Sequence, residues 1–312
     1  MKILVTGGAG YIGSVLVPLL LEKNHIVTVL DSFIYHQTSL AYCCRNTNFN
    51  IIRGDVRDKK ILSDVLRDVD FIIPLASLTG APVCDKNPID AQMINLDSIK
   101  LITQLRSKEQ KIIFPTTNSG YGIGQDNIYC TEESILKPIS LYGRLKTDAE
   151  SLLLDSGEVV TFRFATVFGM STRMRFDLLV NDFVQRALSD HAIVLFESHF
   201  KRNYLHITDA ANAFLFAIEN FESLKNTPYN VGLNDANLSK LELCQIIKKH
   251  VPNFVFIESD IGRDPDQRNY IVSNDKINKK GFYAKNSIDA GIIELIKGCQ
   301  IIKRNNLNFS NV

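Results

Sequence analysis

Lys2-Ile3-Leu4-Val5-Thr6-Gly7-Gly8-Ala9-Gly10-Tyr11-Ile12-Gly13 decides the fold of this chain. A short apolar run ends on a glycine cluster and passes into an apolar-periodic stretch from Tyr11 to Lys23, which reads as strand, turn and helix. Glycines let the main chain turn tightly and let another group approach it closely. The start of the following helix offers unpaired N–H groups and a partial positive charge, a ready site for a pyrophosphate. In this strand–turn–helix context the spacing of Gly7, Gly10 and Gly13 predicts a dinucleotide site, with Tyr11 and Ile12 beside it.

Outward from that turn, strand candidates alternate with helical stretches. Residues 26–30, 49–54, 70–76, 111–116 and 159–164 are apolar runs. Residues 57–67, 90–106 and 140–154 carry helical periodicity between them. This rhythm predicts an α/β fold, a doubly wound parallel sheet of Rossmann type covered on both faces. After Phe168 the rhythm changes, so residues 1–168 are expected to form the dinucleotide domain. Residues 169–312 are expected to form a smaller α/β substrate lobe partly interwoven with it, with helices at 177–188, 209–221 and 239–249 and strands at 193–196, 229–232 and 254–257.

Asp31 ends the second strand, 18 residues beyond Gly13. A carboxylate there accepts hydrogen bonds from the adenosine ribose and repels a 2′-phosphate. No arginine or lysine follows in Ser32 to His36, so NAD is expected rather than NADP. Ser32 adjoins that contact. Asp55 and Val56 follow the third strand; Asp55 would bond an adenine amino group or cap the next helix, and both readings stand.

Tyr142 and Lys146 lie four apart on a predicted helix, hence on one face. Tyrosine is a poor base near neutrality because its pKa is about 10. A lysine ammonium about 4–5 Å away is worth roughly 3–4 kcal/mol, enough to lower that pKa by some two units. The resulting phenolate would take a proton from a substrate hydroxyl. Thr117 stands at the carboxyl end of the fifth strand, where open α/β sheets bind ligands, and its hydroxyl would orient the substrate oxygen.

Composition narrows the classes. The 312 residues are 45% hydrophobic and carry a net charge of +1, from 35 basic and 34 acidic residues. That balance gives no reason to expect nucleic acid or an anionic membrane as partner. No run approaches the roughly 18 apolar residues of a membrane span, and the glycine turn comes too early for a signal peptide. A cytoplasmic protein with reduced thiols is expected from six cysteines without a C-x-x-C pair. Scattered histidines predict no metal site.

Together these residues resemble the extended short-chain dehydrogenase/reductase family that acts on nucleotide sugars, over nearly the whole chain. The resemblance implies that Leu75, Ala76 and Ser77 line the cofactor and that Asn95 joins them. It implies Thr117, Tyr142 and Lys146 as the catalytic residues, with Tyr142 and Lys146 also touching the cofactor. Thr79, Thr117, Asn118 and Thr166 are implied on the substrate side. Arg202, in Arg-Asn-Tyr-Leu-His-Ile-Thr-Asp, and Arg268 are implied as binders of the substrate's pyrophosphate, a task suited to the guanidinium fork. The family's dehydratases carry Asp-Glu after the catalytic threonine; here Asn118-Ser119 stand there, which disfavours dehydration. Thr166 and Asp177 stand where substrate-binding asparagines are usual, so the sugar pocket departs from an ordinary UDP-galactose 4-epimerase.

The segments Thr117–Gly122, Arg173–Arg175 and Arg268–Asn274 are most similar to a narrower subgroup that includes GDP-manno-heptose 4-dehydrogenases of bacterial capsule synthesis. The resemblance also implies a homodimer built on the helices at 90–106 and 140–154. The expected activity is NAD-dependent oxidation at C4 of a nucleotide sugar. A 4-epimerase would use the same three residues. A 4-keto-sugar reductase is disfavoured by Asp31. A non-catalytic dinucleotide sensor is disfavoured because Thr117, Tyr142 and Lys146 are all present.

Overall fold

The computed structural model describes residues 1–125, 127–259, 268–302 and 311. Seven strands form one sheet: β1 (Lys2–Thr6), β2 (Ile26–Asp31), β3 (Phe49–Arg53), β4 (Phe71–Pro74), β5 (Lys111–Thr117), β6 (Val159–Phe164) and β7 (Thr227–Val231). Every neighbouring pair is parallel, in the order β7-β6-β5-β4-β1-β2-β3.

The apolar runs follow from burial on both faces. Ile3, Val5, Val27 and Val29 pack into one core with Leu16 and Leu20 of the Gly13–Glu22 helix and Ala210 and Phe214 of the Ile207–Glu219 helix. Their strand neighbours Leu4, Leu30, Ile72, Ile112 and Phe114 pack into the opposite core, with Leu62, Ile102, Leu145 and Leu153. This is a Rossmann-type doubly wound α/β fold. The strand order reverses between β1 and β4, and a crevice opens there at the carboxyl ends.

Two features differ from the sequence expectation. Residues 227–231, read as part of the second lobe, form β7 and extend the large sheet beside β6. The helix expected over 90–106 is instead Pro88–Gln92, a π turn at Met93–Asp97 and Ser98–Leu105. The π turn inserts a wider loop of backbone and carries Asn95, 2% exposed, into the interior.

A further core, to one side of the sheet, gathers Met174, Phe183, Leu195, Tyr204, Leu243 and Leu295. Leu295 comes from the Ile288–Ile301 helix, a stretch unassigned from the sequence. Thr166–Phe168 pairs with Lys201–His206, and Ala192–Phe196 with Val255–Ser259. A short parallel pair, Tyr129–Cys130 with Ile271–Val272, extends through the bridge between Ile123 and Asn269. That ladder sets Arg268 against the crevice. Among the described residues no helix is long and apolar enough to cross a membrane.

Candidate active site

A cavity of about 400 Å³ occupies the crevice, bordered by the ends of β1, β2, β4 and β5. Gly7, Gly10, Tyr11, Ile12 and Gly13 line it. Gly7 has φ +68°, and a Cβ there would lie 2.5 Å from the Ala76 nitrogen, so only glycine lets β1 and the β4 loop approach this closely. Tyr11 leaves the turn for the core around Met174 and Tyr204. Its hydroxyl donates to the Gly169 carbonyl at 2.6 Å and accepts from Asn181 Nδ2 at 3.1 Å.

Asp31 and Ser32 line the same end. Asp31 accepts from the Ala9 N–H at 2.9 Å and the Phe33 N–H at 2.8 Å, which fix its carboxylate in the wall. Burial pushes its pKa up, and these N–H groups oppose the shift. The sequence leaves no cation near Asp31, but the fold supplies one. Arg173 reaches the cavity wall with its guanidinium 4.5 Å above the Tyr35 ring, close enough to favour the Asp31 carboxylate.

Asp55 and Val56 also border the cavity. Asp58, not Asp55, caps the Lys59–Leu66 helix, accepting from the Lys60 and Ile61 N–H groups. Asp55 instead binds Arg57, whose Nε lies 3.0 Å from each carboxylate oxygen, and this partner holds its pKa below the usual carboxylate value. Leu75, Ala76 and Ser77 form the next stretch of wall. Asn95, expected at the cofactor, stands behind it. Its Oδ1 accepts from Ser77 Oγ at 2.9 Å and Leu78 N–H at 2.8 Å, and its Nδ2 donates to the Leu78 carbonyl at 2.9 Å. Asn95 therefore shapes the loop and does not line the cavity.

The catalytic candidates converge on the other end. Tyr142 and Lys146 lie on the Leu141–Ser156 helix, which Ser140 caps by accepting from the Gly143 N–H at 3.1 Å. Both side chains line the cavity, and so does Thr117, the last residue of β5. The charge logic differs from the sequence expectation. Burial pushes the Tyr142 phenol up to about 12; Arg175 and Arg268 oppose the shift, and Lys146 has no resolved part in it. Burial also drops Lys146 to about 7, with Glu150 and Cys84 acting against that drop. The ammonium sits 3.9 Å from the centre of the Phe114 ring.

Glu150, one turn beyond Lys146, is a buried hub. It pairs with Arg163 at 2.7 Å and accepts from Thr116 Oγ1 at 3.0 Å. It thereby ties the Leu141–Ser156 helix to the end of β5 and to β6.

On the substrate side Thr79, Thr166 and Arg268 line the cavity. Asn118 and Arg202 do not. Asn118 turns into the protein at 1% exposure, and Arg202 is buried on the Lys201–His206 strand at 4% exposure. Arg175, unassigned as a site residue from the sequence, lines the wall, pairs with Asp177 and reaches the Thr79 carbonyl at 3.4 Å. Ser119 also reaches the wall and receives a hydrogen bond from Arg268.

With this geometry in view, residues 3–232 match the NAD dependent epimerase/dehydratase family. The chain belongs to that family. NAD is its cofactor, and the wall suits it: glycine backbone at the helix start, a fixed carboxylate after the second strand, and Lys146 beside Tyr142. The UDP-glucose 4-epimerase of Corynebacterium glutamicum is 27% identical over 283 residues, covering 80% of this chain and 81% of that protein. The UDP-glucuronic acid 4-epimerase of Bacillus cereus, solved with UDP-glucuronic acid and NAD, superposes with a TM-score of 0.85 at 24% identity, covering 96% of this chain and 99% of that one. The dTDP-glucose 4,6-dehydratase of Bacillus anthracis, solved with NAD, gives 0.83 at 21% identity and covers 97% of both chains. Among the described residues no cluster of histidine, cysteine or carboxylate side chains is arranged to hold a metal ion.

Proposed function

We propose that this chain oxidises C4 of a nucleotide-linked sugar, with GDP-manno-heptose as the leading substrate. The convergence of Thr117, Tyr142 and Lys146 on the cavity that also holds the glycine turn and Asp31 carries this reading. Gly7 to Gly13 and Asp31 hold the dinucleotide, and Lys146 its nicotinamide ribose. When bound, NAD supplies the acceptor for hydride from the sugar carbon. Tyr142 takes the hydroxyl proton, Thr117 orients the oxygen, and Arg268 meets the substrate pyrophosphate. Burial holds the phenol near 12 even with Arg175 and Arg268 acting to lower it, so ionisation close to neutrality needs further positive charge, which the ring of bound oxidised NAD would bring. Asn118 and Ser119 supply no acid for elimination, which speaks against dehydration.

A 4-epimerase is the second reading, favoured by the UDP-glucose 4-epimerase relative. It differs only in keeping the keto sugar and returning hydride to its other face. A homodimer through the helices at 88–105 and 141–156 belongs to the same proposal, and light scattering measures it.

The test incubates purified protein and NAD with GDP-manno-heptose, GDP-mannose and UDP-glucose and reads product masses. Loss of two hydrogens from one sugar supports the dehydrogenase. Unchanged masses with a new sugar configuration by NMR select the epimerase. Tyr142→Phe should lower turnover by roughly 10²–10⁴-fold while NAD binding persists; full activity in that variant removes Tyr142 from the chemistry.

A further inference from the structure

We infer that Ser119 is a positioning residue that fixes Thr117 as a hydrogen-bond donor to the substrate oxygen, under the control of Arg268. The inference rests on the reading of the site given above. It goes beyond that reading by assigning the direction of the hydrogen bond at the reacting oxygen and the residues that set it.

Three contacts carry it. Arg268 donates from Nη1 to Ser119 Oγ. Ser119 Oγ lies 2.8 Å from Thr117 Oγ1. The Ser119 backbone N–H donates to the same Thr117 oxygen at 3.1 Å. Ser119 is 2% exposed, while Thr117 and Arg268 are half-buried. All three residues border the cavity.

A hydroxyl has one proton and two lone pairs. A guanidinium cannot accept, so the Arg268 contact has one direction only. Donation from a cation draws electron density from Ser119 Oγ and makes its own proton the more acidic of the serine–threonine pair. Ser119 therefore donates onward to Thr117. Thr117 Oγ1 then receives two protons, from the Ser119 hydroxyl and from the Ser119 backbone. Both of its lone pairs are engaged, and what it offers the cavity is its own proton.

The chemistry follows. A ligand oxygen at Thr117 must accept there. If it is a carbinol oxygen, its own proton points elsewhere, to Tyr142. As the C–H bond breaks and the oxygen gains negative charge, the Thr117 bond strengthens, the kind of contact that favours the transition state over the ground state. The residue at position 119 thus replaces an acid for elimination with an orienting hydroxyl. Arg268, which comes from beyond residue 259, joins substrate anchoring to this polarity.

A double-mutant cycle tests the inference, using whichever of GDP-manno-heptose, GDP-mannose or UDP-glucose is turned over. Ser119→Ala should lower kcat roughly tenfold, a fraction of what removing an oxyanion donor itself costs, with KM within about twofold. Ser119→Thr, which keeps the hydroxyl, should recover most of that loss. In a Thr117→Val background, Ser119→Ala should change kcat by less than about twofold, because its route of action is gone. Arg268→Met should lower kcat and raise KM in the wild type, but only raise KM in the Ser119→Ala background. NAD affinity and Tm should stay level through the Ser119 series. Equal kcat losses from Ser119→Ala with and without Thr117, or an effect mainly on KM, overturn the relay while Tyr142→Phe still abolishes turnover. If Tyr142→Phe stays active, or no sugar of the panel turns over, the reading of the site falls and takes the relay with it.

Discussion

The two ends of the cavity are built by opposite means. At the cofactor end the fit comes from backbone: Gly7 brings β1 within contact of Ala76, and Asp31 is fixed by N–H groups of Ala9 and Phe33. At the catalytic end it comes from polar side chains whose charges depend on one another, the buried Lys146, Glu150, Arg163 and Arg175 and the half-buried Tyr142 and Arg268. The first arrangement is local and rigid. The second is a network in which losing one member strands the others.

The largest expected effect breaks that network. Glu150→Gln leaves Arg163 buried without its carboxylate and should cost roughly 3–5 kcal/mol in denaturant unfolding. It should also lower the Lys146 pKa further, because Glu150 acts to raise it. If the loss is under about 1 kcal/mol, the catalytic end is not the interdependent one. The next effect probes the cofactor end. Gly7→Ala combines a φ of +68° with a backbone clash and should cost roughly 3 kcal/mol. Gly10→Ala, whose Cβ meets only the Gly7 carbonyl at 3.1 Å, should leave stability within about 0.5 kcal/mol yet weaken NAD binding in calorimetry. Equal stability losses at the two glycines would dissolve the distinction between packing and ligand contact.

The last test sharpens the comparison through pH. Lys146 titrates near 7 in the folded protein and higher when unfolded, so between those values the unfolded chain holds more protons. Stability of the NAD-free protein relative to Lys146→Met should therefore rise with pH from about 7, by at most about 1.4 kcal/mol per unit. A flat difference would mean that the ammonium is not desolvated.

The same contrast explains what the sequence disclosed. The glycine turn, Asp31 and the alternation of strands and helices were legible because each is written in a contiguous stretch with its own periodicity. The Tyr142–Lys146 spacing was legible as a helix face, but not its electrostatics. Burial is a property of the surrounding fold; it raises the Tyr142 phenol where the sequence predicts a lowering, and it lowers Lys146 as well. Strand β7 was visible as a strand while its sheet was not, since a short apolar run does not name its neighbour. Arg173, Arg175 and the Arg268–Ser119 contact could not be read, because they close gaps of up to 149 residues. Asn95 was found by likeness, and only the π turn shows that it serves the wall from behind.

Tyr11 belongs to the glycine turn by sequence and to the core around Met174 and Tyr204 by packing. Beside it, Ser14 Oγ and Ser171 Oγ meet at 2.6 Å, and Ser171 also donates to the Tyr11 carbonyl at 3.0 Å. The consequence is one of residence time. The glycine turn and residues 169–171 cannot part at this seam without surrendering several hydrogen bonds at once, each worth about 1 kcal/mol. Escape of a dinucleotide past the turn is therefore expected to follow the opening of a seam whose other side lies some 160 residues along the chain.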